Sequence, residues 1–271
     1  MSRKTLRTAV AALAALSMPL SLSAHRQWIL PSSTVLSSQD AWVTIDAAVS
    51  NELFYFDHVP MRLSNLVVTA PNGAPVSPEN IATGKYRSTF DVHLTEPGTY
   101  RIASVGNFVF ASWEENGEQK RWRGSEEAFA KQVPADAKNL TKTKNNSRVE
   151  TFVTAGSPTK IKPVGEGLEM VALTHPNDLV TGEAVEFQFL ANGKPEAGLT
   201  VSLIPGGNRY RDQLHEQQFT TDGEGKIEVT FDEPGMYWIN ASKGGGRRGP
   251  GGPGRGGDRM SYTATLEVLP L

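Results

Sequence analysis

Five histidines and no cysteine bound the chemistry open to this chain of 271 residues. Without thiolates, a transition-metal site must be built from imidazole, amine and carboxylate donors, which suit divalent nickel, cobalt, copper or zinc better than soft monovalent copper. His25 stands in Leu22-Ser23-Ala24-His25-Arg26-Gln27-Trp28, where an export leader is expected to end. Cleavage after Ala24 would leave a free amine on the residue that carries the imidazole. That amine and Nδ1 close a six-membered ring around one ion, and amines and imidazoles as classes lose their protons cheaply near neutrality.

Further donors lie downstream. In Asn51-Glu52-Leu53-Phe54-Tyr55-Phe56-Asp57-His58-Val59-Pro60-Met61 a carboxylate and an imidazole follow an aromatic cluster. Side chains of neighbours on an extended chain diverge, so the plainer reading makes Phe54 and Phe56 core contacts and His58 an exposed loop residue; a sharp turn at Pro60 would change that. Asp91 and His93 share one face of an expected strand, with side chains about 7 Å apart along it, close enough to serve one ion or to pair with each other. His175 reads as part of a turn and His215 as an edge or loop residue. The metal candidates are therefore His25, His58, His93, Asp57 and Asp91. No Gly-x-Ser-x-Gly elbow, His-Glu-x-x-His helix or Gly-Lys-Ser phosphate loop occurs, and the expectation is a protein that is not an enzyme.

The elements that must hold these residues begin after the leader. Residues 1–24 carry Arg3, Lys4 and Arg7, then an apolar run and small residues, the three parts of a secretory signal, with an apolar part too short to cross a membrane. Export to the periplasm as a soluble protein is expected. Three of the 27 basic residues belong to the leader, leaving 24 against 29 acidic ones, a balance that argues against nucleic acid as a partner. With 26 Gly and 17 Pro, the rest reads as short strands joined by many turns.

Glu96-Pro97-Gly98-Thr99-Tyr100-Arg101-Ile102 and Glu233-Pro234-Gly235-Met236-Tyr237-Trp238-Ile239 repeat one turn-and-strand grammar, and Asn192-Gly193 echoes Asn72-Gly73. The fold class expected is all-β: two tandem β-sandwich domains of immunoglobulin or prealbumin type with a short, partly helical insert. The boundaries read are a leader at 1–24, a first sandwich at 25–118, an insert and linker at 119–165, and a second sandwich at 166–271 with a disordered Gly/Arg-rich loop at 243–259. Within the insert, Ser125 caps a helix that Pro134 stops, and the polar stretch 136–148 reads as an exposed excursion or a second short helix.

The mature start His25-Arg26-Gln27-Trp28-Ile29-Leu30-Pro31, the Glu-Pro-Gly-x-Tyr turns and the segment from Val149 to Gly156 together resemble a bacterial periplasmic family of unknown function, commonly labelled as nickel or cobalt uptake components. The resemblance spans the mature chain, and of its pattern His25 and Trp28 carry over. It implies an accessory that delivers a divalent transition metal to an inner-membrane transporter. Two other readings stand beside it: a non-enzymatic sandwich module that binds protein or glycan without metal, and a copper protein whose His25 and a second histidine resemble a histidine brace.

Overall fold

The computed structural model describes residues 25–37, 40–244 and 257–271. The leader expected at 1–24 and most of the Gly/Arg-rich loop lie outside the described residues. The first part holds β1 (Arg26–Pro31), β2 (Val35–Leu36), β3 (Ala41–Ser50), β4 (Val59–Pro60), β5 (Leu66–Thr69), β6 (Pro75–Val76), β7 (Glu79–Thr83), β8 (Ser88–Leu94) and β9 (Gly98–Glu115). Next come β10 (Glu118–Gly124), α1 (Glu126–Gln132) and β11 (Lys138–Ala155). The remainder holds β12 (Leu168–Ala172), β13 (Ala184–Ala191), β14 (Lys194–Pro195), β15 (Thr200–Pro205), a single 3-10 turn, β16 (Gln217–Thr220), β17 (Lys226–Thr230), β18 (Gly235–Gly244) and β19 (Arg259–Val268).

The all-β expectation holds, and the two sandwiches share their middle sheet. That sheet runs β16-β15-β18-β19-β11-β9-β5-β6, with β11 and β19 joined in parallel from Asn145↔Arg259 to Thr151↔Thr265. Alternation along β11 sends side chains to opposite faces. Val149, Val153 and Ala155 enter one core with Val43, Ile45, Phe90, Val92, Tyr100 and Ile102, under the outer sheet of β1, β3, β4, β7 and β8. Phe152 enters the other core with Phe187, Phe189, Val201, Ile239 and Tyr262, under the outer sheet of β12, β13, β14 and β17. The two outer sheets therefore cover opposite faces of one shared layer.

The repeated turns have the same construction. Gly98 and Gly235 take φ of +132° and +141°, and the Tyr100 and Tyr237 hydroxyls donate back to the Glu96 and Glu233 carbonyls at 3.1 and 2.7 Å. The helix also forms as read, with the Ala128 N–H donating to Ser125 Oγ at 3.1 Å. The polar stretch after it is a correction. It is most of the N-terminal half of β11, because β9 pairs with it from Lys138↔Glu114 onward and satisfies its backbone, so polar side chains occupy an exposed ribbon without any need for a helix.

Candidate functional site

His25 and His58 meet at the end of β3. Strand β1 lies along one edge of β3 with Gln27↔Val49, and β4 along the other edge with Val59↔Val49. Strands step about 4.8 Å apart, so backbones roughly 10 Å apart carry the residues just before each pairing, a gap two imidazoles can close. They do so face to face, with ring centroids 3.8 Å apart and planes within 3°.

The sequence explains why both ends are held. Trp28 is fully buried, its indole N–H donating to Ser50 Oγ at 2.7 Å, and it packs against Phe54 and Phe56 at 5.6 and 5.5 Å between ring centroids. Asp57 folds the loop back on itself, its carboxylate accepting from the Asn51 and Glu52 amides at 2.9 and 3.2 Å. Phe54 and Phe56 are thus core contacts as read, whereas His58, on a backbone turned sharply by Asp57, faces His25.

The second sandwich closes the loop from behind. The Leu53 amide donates to Asn208 Oδ1 at 2.9 Å, the Trp238 indole donates to the Gln27 carbonyl at 2.9 Å, and the Arg209 guanidinium lies 3.8 Å from the Tyr55 ring centroid. Beside the histidine pair, Arg26 donates to the Asn51 carbonyl at 3.0 Å. Burial pushes the Arg26 guanidinium below its ordinary value and the Glu216 carboxylate pulls it back. No local sequence pattern marks Asn208, Arg209 or Glu216, since each arrives from more than 150 residues away along the chain.

The remaining candidates lie elsewhere. His93 is opposite Trp42, eight residues down β3 from Ser50, or about 27 Å at the rise of an extended strand. It stacks on Trp42 with centroids 4.2 Å apart, and its Nε2 lies 2.5 Å from Asp40 Oδ1. Asp91 accepts from Thr44 Oγ1 at 2.7 Å and Asn80 Nδ2 at 2.8 Å, and those two bonds hold its carboxyl below the usual carboxylate range. His175 sits half-buried in a network with Thr99 and Thr159, and His215 is an exposed loop residue with φ of +52°. Among the described residues no three His, Cys, Asp or Glu side chains cluster as a metal site would.

Chemically the pair supplies two imidazoles. A metal lies in the plane of each ring that ligates it, at about 2.0–2.1 Å from nitrogen, and two parallel planes share no such point. The stacked pair therefore binds one ion only after one ring turns about its side-chain bonds. His25 is exposed and free to turn.

The matched family model runs from just before His25 to the last residue of β18. The chain belongs to the family described as a domain of unknown function (DUF4198), which matches residues 22–244. No curated protein matches the chain. Among solved structures it is similar to the D0-D1 domain of Intimin, at 12% identity over 89% of this chain and 97% of that one with a TM-score of 0.23. It is also similar to the human OSCAR ligand-binding domain, at 13% identity over 90% and 99% with a TM-score of 0.22. Among the described residues no helix is long and apolar enough to cross a membrane.

Proposed function

We propose that this is a non-catalytic periplasmic protein that binds a divalent transition-metal ion, nickel or cobalt, and passes it to an inner-membrane transporter. The supporting observation is the meeting of His25 and His58, 33 residues apart in the chain, with ring centroids at 3.8 Å. The donors would be the His25 imidazole, the amine freed by removal of residues 1–24, and the His58 imidazole. His93, Asp91 and Asp57 drop out of the ligand set, the first two by distance and the third because backbone amides occupy its carboxylate. Two nitrogens from one residue give a chelate, and an open remainder of the coordination sphere suits an ion that must be handed on.

The test is titration of the chain beginning at His25 with Ni²⁺, Co²⁺, Cu²⁺ and Zn²⁺ by calorimetry. One tight site is expected. Because loss of a mere outer-shell partner weakens metal sites by about 10- to 100-fold, His58→Ala or one residue added before His25 should cost more than that, and His93→Ala nothing. Since N-donor sites in general rank copper above nickel and cobalt, only tight copper binding with no measurable nickel or cobalt binding would move the reading to a copper protein. Binding that survives both His58→Ala and the added residue would exclude this site.

A further inference from the structure

We infer that Asn208 and Gly206, both in the second sandwich, are positioning residues for His58, so that the site carried by the first sandwich is set by its seam with the second. This rests on the metal-binding reading only for its functional consequence. Asp57 ties the two ends of the loop between Ser50 and Val59 together, yet the backbone at its middle is strained. Phe54 has φ of +60°, a left-handed conformation that a bulky side chain keeps only where its surroundings enforce it.

The enforcement comes from across the seam. Asn208 Oδ1 takes the Leu53 amide at 2.9 Å, fixing the residue just before the strained one. Gly206 leaves the space that the Phe54 ring fills: a Cβ there would lie 2.9 Å from Phe54 Cδ2 and 2.9 Å from the Met236 carbonyl oxygen. The carbonyl is held, since it accepts from the Gly206 amide at 2.6 Å, so the ring is what must give. Phe54 in turn packs on Trp28, which follows His25 by three residues, and the loop continues through Phe56 and Asp57 to His58. Displacing Phe54 therefore moves both histidine-bearing segments relative to each other. Trp28, Leu53, Ile204 and Trp238 form one small core with residues from both sandwiches, which transmits the displacement.

The experiment compares Asn208→Ala, Asn208→Asp and Gly206→Ala in the chain beginning at His25. The readouts are Ni²⁺ and Cu²⁺ affinity by calorimetry and, without metal, the ring-current-shifted imidazole proton signals of His25 and His58 by NMR. A lost neutral hydrogen bond corresponds to about a three- to tenfold change, the weakening expected for Asn208→Ala together with displaced imidazole signals. Asn208→Asp, which keeps the accepting oxygen, should restore both, and Gly206→Ala should displace the signals. Imidazole signals unmoved by Asn208→Ala and Gly206→Ala, or moved alike by Asn208→Ala and Asn208→Asp, would overturn the inference. If no ion binds to the parent chain while the signals respond as expected, the positioning role stands and the metal reading falls.

Discussion

His175 is held in one tautomer by its neighbours. Its Nε2–H donates to the Thr159 carbonyl at 3.2 Å, and its Nδ1 accepts from the Asn177 amide at 3.2 Å. Protonating Nδ1 would set N–H against N–H. Burial pushes the imidazole below its ordinary value of 6.5, against the smaller opposing pull of the Thr159 carbonyl and Asp178. The unfolded chain then binds a proton more readily than the folded one, so stability is present above about 6.5 and is lost as pH falls below it toward the folded value. Urea midpoints should drop between pH 7 and pH 5, and His175→Gln should flatten that drop; equal slopes would remove His175 as the cause. The sequence marks this histidine only as part of a turn, because its partners Thr99 and Thr159 come from other segments.

At the scale of the element, the two Glu-Pro-Gly-x-Tyr turns are alike in backbone and different in surroundings. Both glycines have φ that an L side chain adopts poorly. Gly98 also has Pro71 packed against it, where a Cβ would come within 2.6 Å of the Pro71 Cβ, whereas nothing lies within 4 Å of a Cβ at Gly235. Gly98→Ala should therefore cost about 1–3 kcal/mol more than Gly235→Ala, the usual range for overpacking, measured as the difference in unfolding free energy. Equal costs would mean that conformation alone governs both turns. The repeat and its glycines were legible in the sequence because a turn is a local device. The strand identity of residues 138–148 was not, because a polar ribbon takes its shape from the strand beside it.

At the scale of the molecule, the shared middle sheet ties the two cores together. Strand β11 presents Val149 and Val153 to one core and Phe152 to the other, and it is the parallel neighbour of β19. Melting either core strips one face from β11. One calorimetric transition is expected for the chain beginning at His25, with calorimetric and van't Hoff enthalpies equal. Residues 166–271 alone should not fold, since β19 would lose its partner from Asn145 to Thr151. Two separated transitions would show that the sheet is shared in geometry and not in energy.

By itself the sequence determined the all-β class, the paired turns and the residue types open to a metal. Each of these follows from local composition, periodicity or turn chemistry. Tertiary structure decided which histidines meet. Asp91 and His93 had the better spacing along the chain, yet the pairing of β8 with β3 sets them opposite Thr44 and Trp42, toward the end of β3 away from His25. His58, beside a carboxylate whose oxygens the backbone takes up, is brought to His25 by strand pairing on two edges of β3 and by a loop seated against Asn208 and Gly206. Distance along a chain says nothing of distance across a sheet, where register and the packing of a neighbouring sandwich set what side chains touch.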